Sequence, residues 1–172
     1  LVYLNGYLNS KEAADENYAR ELHELFTVGK GPDSAYTEED VRATARVLTG
    51  WRVNPNTITS YFDGTQHDFS NKAFSTFYGE KQVTGKSGPD GGLLELRELL
   101  KIIFEQPEAS KFIVRKLYRF FVYYKIDDAV EQDVIAPLAE IFRNSEFDIL
   151  PVLSALFRSE HFYDPLNMSC LI

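Results

Sequence analysis

The stretch DGGLLELRELLKIIFEQPEASKFIVRKLYRFFVYY, residues 90–124, decides the fold class. Asp90 supplies an N-cap, and Leu93, Leu96, Leu99, Leu100, Ile103 and Phe104 recur at the spacings that line one face of a helix. Pro107 opens a second helix, because a first-turn residue has no intrahelical use for the N–H that proline lacks. There Ile113, Leu117, Phe120, Phe121 and Tyr124 are expected to face the core, with Lys111, Arg115 and Arg119 at four-residue spacing across from them. Two such periods in succession predict a helical chain.

Upstream, at about 100° per residue, Ala14, Tyr18, Leu22, Leu25 and Phe26 share an arc of about 120°, which predicts a helix over 12–28 ended by Gly29. After the loop Gly31-Pro32-Asp33-Ser34, Thr37 followed by Glu38, Glu39 and Asp40 reads as an N-cap with an acidic first turn. It opens a helix with Val41, Ala45 and Leu48 on one face, up to Gly50. Downstream, Asp127 or Asp128 opens a fifth helix with Val130, Val134, Leu138, Ile141 and Phe142 inward, which Pro137 should kink or split. Asp148 opens a last one, with Ile149, Val152, Leu153, Leu156 and Phe157 apolar.

From Trp51 to Pro89 no helical period is found, yet Trp51, Tyr61, Phe62, Phe69, Phe74, Phe77 and Tyr78 make the stretch too aromatic for disorder. Connections usually run ~4–6 residues, so this one reads as a lid or a small β excursion, with short strands at 58–62 and 74–78. The expected fold is all-α: a bundle of about six helices with a small β-like excursion, about residues 51–90, between helices 2 and 3. Residues 1–172 are read as a single helical domain and, from its apolar ends, a fragment of a longer protein.

The net charge of −8 argues against a nucleic-acid partner, since neutralising phosphates needs a surplus of Lys and Arg. No run approaches the ~20 apolar residues of a membrane span, so no transmembrane segment is expected. Cys170 is the only cysteine, which excludes an internal disulfide and a cysteine-based zinc site.

Several polar residues invite a role. Glu21 stands at the edge of the apolar stripe of its helix, with Asn17 one turn behind, and must find a cation or donors if buried. It reads either as an arginine's partner or as a functional carboxylate. Arg42 and Arg46 read as a surface ion-pair ladder with Glu38, or as a guanidinium clamp for an anion. Lys111, Arg115, Lys116 and Arg119 form a basic stripe that either pairs with the domain's own carboxylates or binds an anion. Of the three histidines, His23 is expected to be exposed and His161 to cap a helix C-terminus. His67 precedes Asp68 in the aromatic excursion, with Lys72 four residues on, which brings imidazole, carboxylate and ammonium together on a loop. No zinc-hydrolase helix motif, Gly-rich phosphate loop or nucleophile elbow occurs.

The segments Glu16-Asn17-Tyr18-Ala19-Arg20-Glu21-Leu22 and Glu24-Leu25-Phe26-Thr27-Val28-Gly29 resemble the hallmark of the bacterial family called domain of unknown function 1800. Further likenesses follow in order: Tyr36-Thr37 with Asp40-Val41, Leu48-Thr49-Gly50-Trp51, His67-Asp68 with Lys72, Gly79, Phe112-Ile113 with Arg115-Lys116-Leu117, and Ser159-Glu160-His161-Phe162. The resemblance implies that this is the C-terminal half of an exported, periplasmic or extracellular bacterial protein, with a sulfatase-like envelope protein as partner. Its polar family positions are Glu16, Asn17, Arg20, Glu21, Glu24, His67, Asp68 and Lys72; His23 stands where the family is usually apolar.

Two functions are carried forward. The first is a non-catalytic envelope module that binds a partner protein or glycan through the aromatic excursion, with Tyr61, Phe74 and Tyr78 in contact. The second is a hydrolase-like, metal-assisted enzyme. It would use His67 and Asp68 as ligands of a divalent metal or as an acid–base pair, with Glu21 or Glu24 delivered from the first helix. Asn17, Arg20, Arg42, Arg46, Lys72, Arg115 and Arg119 are the ligand-binding candidates.

Overall fold

The computed structural model describes residues 3–168, so Cys170 lies outside the described residues. Asp15 caps α1 (Glu16–Glu21) by accepting from the Asn17 N–H. From Leu22 to Thr27 the chain winds as a π-helix. Its i→i+5 bonds advance each side chain by less than the about 100° of an α-helix, which rotates the following residues onto another face. His23, expected to be exposed, is therefore fully buried, while Leu25 and Phe26, expected inside, are 44% and 50% exposed.

α2 (Glu38–Val47) begins with a complete capping box between Thr37 and Asp40. Its Val41, Ala45 and Leu48 pack with Ala19 of α1 into one core cluster, against which Tyr18, Leu22, Tyr36 and Leu96 lie. Gly50 then turns the chain at φ +84, where a Cβ would sit 2.8 Å from the Asp63 carbonyl oxygen.

The excursion holds two small antiparallel pairs. β1 (Trp51–Asn54) pairs with β2 (Thr59–Phe62), Trp51 opposite Phe62, and β3 (Lys72–Ala73) pairs with β4 (Gln82–Val83). The strand expected at 74–78 is instead a 3-10 turn, Thr76–Tyr78, closed by the left-handed Gly79. Phe74 and Tyr78 are core residues. α3 (Gly91–Phe104) buries Leu99, Ile102, Ile103 and, unexpectedly, Glu95. Its start lies so close to β2 that a Cβ on Gly92 would meet Phe62 Cε2 at 2.2 Å.

The chain divides into two compact units, Leu1–Gln106 and Pro107–Ile172. The second contains α4 (Pro107–Phe121), α5 (Asp128–Val130), a π turn (Glu131–Ile135), α6 (Ala136–Asn144), α7 (Ile149–Arg158) and the short α8 (Pro165–Met168). Val114, Tyr118, Ile135, Leu138, Phe142, Val152 and Leu156 are central to its core. Two residues assigned inward on α4 are mostly exposed, Phe120 at 71% and Tyr124, beyond the helix, at 70%. The buried line runs instead through Ser110, Val114, Tyr118 and Val122. The helical backbone runs without a break from Asp128 to Asn144, and the expected kink or split at Pro137 takes the form of a π turn just before it, which relieves the clash of a proline with the carbonyl four residues back. The fold is thus mostly helical with a small β excursion between α2 and α3. Among the described residues no helix is long and apolar enough to cross a membrane.

Candidate functional site

The His67-Asp68 dipeptide does not present two side chains to one point. His67 turns inward, 1% exposed, and Asp68 turns toward α2. The His67 Nδ1–H donates to the Thr49 carbonyl at 2.7 Å. Its Nε2 lies 3.0 Å from Glu95 Oε1, an ion-pair distance at an angle outside good hydrogen-bond geometry. The ring is wedged edge-on between Phe62 and Phe69, each 5.0 Å away centre to centre.

Glu95 is the residue that sequence reasoning missed, because a carboxylate on the inner face of a helix contradicts its apolar stripe. Its signal was spacing: it stands one turn before Leu99. Lys72 Nζ, wholly buried, reaches Glu95 Oε2 at 2.5 Å and also donates to the Asp68 carbonyl. The Lys86 backbone N–H donates to Glu95 Oε1 at 2.7 Å. Burial alone would raise the Glu95 carboxyl pKa, but the contacts from His67, Lys72 and Lys86 outweigh it and hold the group below the usual carboxylate range.

Arg46 closes the outer side of this network. Its Nε donates to Asp68 Oδ2 at 2.7 Å and its Nη2 to the Asn71 carbonyl at 3.1 Å. Burial opposes ionisation of Asp68, yet the donors from Arg46 and Ser70 prevail and hold its pKa down to about 2. The Thr49 hydroxyl donates to the Arg46 carbonyl at 2.7 Å and accepts the Asp68 N–H at 2.9 Å. Both His67 nitrogens therefore face oxygen acceptors, and an ammonium already occupies the cation position beside Glu95. The expected divalent metal on His67 and Asp68 does not fit this donor set. Among the described residues, no three His, Cys, Asp or Glu side chains gather as a metal site would require.

The remaining candidates are scattered. Among the described residues Glu21 forms no ion pair with an arginine or with His67, and its Oε2 is buried without a hydrogen-bond partner. Glu24 pairs with Lys30 at 3.1 Å, and the backbone N–H of exposed Asn17 serves the Asp15 cap. Arg20 grips Glu38 with both terminal nitrogens, at 2.7 and 2.6 Å, which raises its pKa further. Arg42 pairs with Glu39 and with Glu16, so the ladder runs through partners other than the expected Glu38. Arg115 binds Glu131 bidentately at 2.9 and 2.7 Å and also meets Glu108, whereas Arg119 is exposed. The contact surface expected of Tyr61, Phe74 and Tyr78 does not exist as such. Tyr61 alone is exposed, while Phe74 is 5% and Tyr78 0% accessible.

The second unit carries a different concavity, a cavity of about 390 Å³. Tyr118 and His161 form its floor, the Tyr118 hydroxyl and His161 Nε2 2.8 Å apart with the rings stacked. Tyr123, Lys125, Asp127, Asp164 and Asn167 surround them. The Asn167 amide donates to the His161 carbonyl at 2.7 Å. Burial raises the Tyr118 pKa, and the nearby Asp127 and Asp164 add to the shift, so the phenol stays a neutral donor and acceptor. His161, read from sequence as a helix cap, is thus a cavity residue. The line Ser110, Val114, Tyr118, which places Tyr118 inward, was the available clue.

A family described as protein of unknown function (DUF1800) matches residues 1–170. The chain belongs to that family. No curated protein and no solved structure matches it. In this DUF1800 chain the polar positions of the resemblance divide by role: Glu16 and Arg20 hold α1 to α2, and His67, Asp68 and Lys72 hold the excursion to α2 and α3.

Proposed function

We propose that this chain is a binding module and that it takes a glycan in the cavity floored by Tyr118 and His161. The observation that carries the reading is the lining itself. Tyr123 and His161 are its aromatic lining, His161 backed by the buried Tyr118, and can meet the C–H side of a sugar ring, while two carboxylates, an amide and an ammonium offer acceptors and donors for its hydroxyls. A volume of about 390 Å³ lies within the usual range for small-ligand sites. The finer setting, exported and beside a sulfatase-like envelope protein, rests on the family resemblance.

The alternative, hydrolysis at His67 and Asp68, would need both to face a substrate. Against it stand the 1% exposure of His67 and the occupation of Asp68 by Arg46 and Ser70. Titration calorimetry with a panel of neutral and acidic di- and trisaccharides tests the proposal. At least one sugar should bind at a single site, and His161→Gln, which keeps a partner for the Tyr118 hydroxyl, should weaken it about tenfold or more. A panel that gives no heats, or binding unchanged in a folded His161→Gln chain, would refute it.

A further inference from the structure

The cavity of the second unit is lined unevenly in charge. Two carboxylates, Asp127 and Asp164, stand on its wall against a single ammonium, Lys125. Among the described residues Lys125 forms no ion pair with either, so the wall keeps a surplus negative charge. Each carboxylate is aimed through one oxygen only. Asp127 Oδ1 accepts the Val130 N–H at 3.0 Å and Asp164 Oδ1 accepts the Leu166 N–H at 2.9 Å, while neither Oδ2 has a hydrogen-bond partner among the described residues. Asp127 is exposed and Asp164 half-buried, so both stay within reach of a ligand. Tyr124, 70% exposed, lies beside the cavity residue Tyr123 at 4.6 Å between ring centres, and carries the aromatic lining out onto the surface.

Charge decides between classes of sugar. An acidic sugar would bring a third carboxylate to these two, with Lys125 alone to offset it. A neutral or N-acetylated sugar can satisfy the open oxygens through its hydroxyls but leaves both charges uncompensated. A protonated amine donates charge-assisted hydrogen bonds to them, about twice as strong as neutral ones, and is also attracted to an aromatic face such as that of Tyr123. The chain's net charge of −8 favours the same ligand, because it draws cationic chains toward the surface and repels anionic ones.

We infer, on the strength of the glycan reading, that the cavity recognises an amino sugar bearing a free, protonated amine within a short oligomer, and that Asp127 and Asp164 are the residues that set this preference.

Calorimetry on the whole chain at about pH 6, where an amine of α-amino basicity is protonated, compares trimers of glucosamine, N-acetylglucosamine, glucose and galacturonic acid, with trilysine as a cation that is not a sugar. The glucosamine trimer should bind at least about tenfold tighter than any of the others. Asp127→Asn and Asp164→Asn, which keep an acceptor for the backbone N–H and remove a charge, should each cut that preference about threefold or more, and the double variant should abolish it. A glucose or acetylated trimer that binds as tightly as the amine, and still loses affinity in His161→Gln, would overturn the amine preference and leave the glycan reading standing. Silence from every sugar would overturn both. The inference also fails if trilysine binds as well as the amino sugar, or if the folded double variant keeps the preference.

Discussion

Burial of His23 between the Tyr78 hydroxyl, 2.7 Å from Nδ1, and Thr44 Oγ1, 2.9 Å from Nε2, takes its imidazole out of water. Desolvation pulls its pKa from 6.5 down to about 4, against the opposing pull of Asp40. Between those values the unfolded chain binds a proton that the folded chain refuses. The stability contributed by neutral His23 is therefore complete above pH 6.5 and eroded as pH falls toward 4, by roughly 3 kcal/mol in all. Asp68, held down to about 2, adds a second loss that sets in below about pH 4. Thermal melts should thus show a falling Tm between pH 7 and 4.5. His23→Gln, which retains a donor and an acceptor, should be flat from pH 7 to about 5.5, above the range where Glu95 begins to lose its own contribution; an equal pH slope in both chains would contradict the assignment.

At the scale of elements, helical periodicity located α2, α3, α4 and α7 but could not say which part of a wide apolar arc is innermost. In α4, aromatic and aliphatic residues run from Phe112 to Phe121 over most of the circumference, so Phe120 was as plausible an inward residue as Tyr118. Only the neighbouring helices decide, and they select Ser110, Val114, Tyr118 and Val122. Tyr118→Ala should accordingly cost about 3–5 kcal/mol in denaturant unfolding, and Phe120→Ala no more than about 0.5. Equal costs would mean that the helix is rotated. The π-helical turns escaped a reading at fixed angle for a related reason: a wider turn shifts the phase, and every residue after Leu22 in the first helix was assigned with the wrong phase. Pro137 did carry its own signal, because a missing N–H is written in the residue type.

At the scale of the molecule, the excursion was legible as an ordered, aromatic, non-helical segment, but the means of its attachment was not. His67, Asp68 and Lys72 were singled out as reactive because they are close in sequence. In space His67 and Lys72 converge on Glu95 of α3, whereas the Asp68 side chain turns away to Arg46 of α2. Asp40 adds a further fastening by accepting from the Ser75 N–H at 2.7 Å. Pairings of this kind join residues 22 to 35 positions apart and leave no local pattern to read. The same distance hid the Tyr118–His161 cavity, whose two floor residues are 43 positions apart. The central claim is that the buried Lys72–Glu95 pair, with His67 beside it, is a structural clasp holding the excursion to α3. Equilibrium denaturation of Lys72→Met, Glu95→Gln and the double variant tests it most directly. Breaking the pair from one side should cost about 3–5 kcal/mol, and the double variant should lose clearly less than the sum of the singles. Single losses within about 0.5 kcal/mol, or strict additivity, would contradict the clasp.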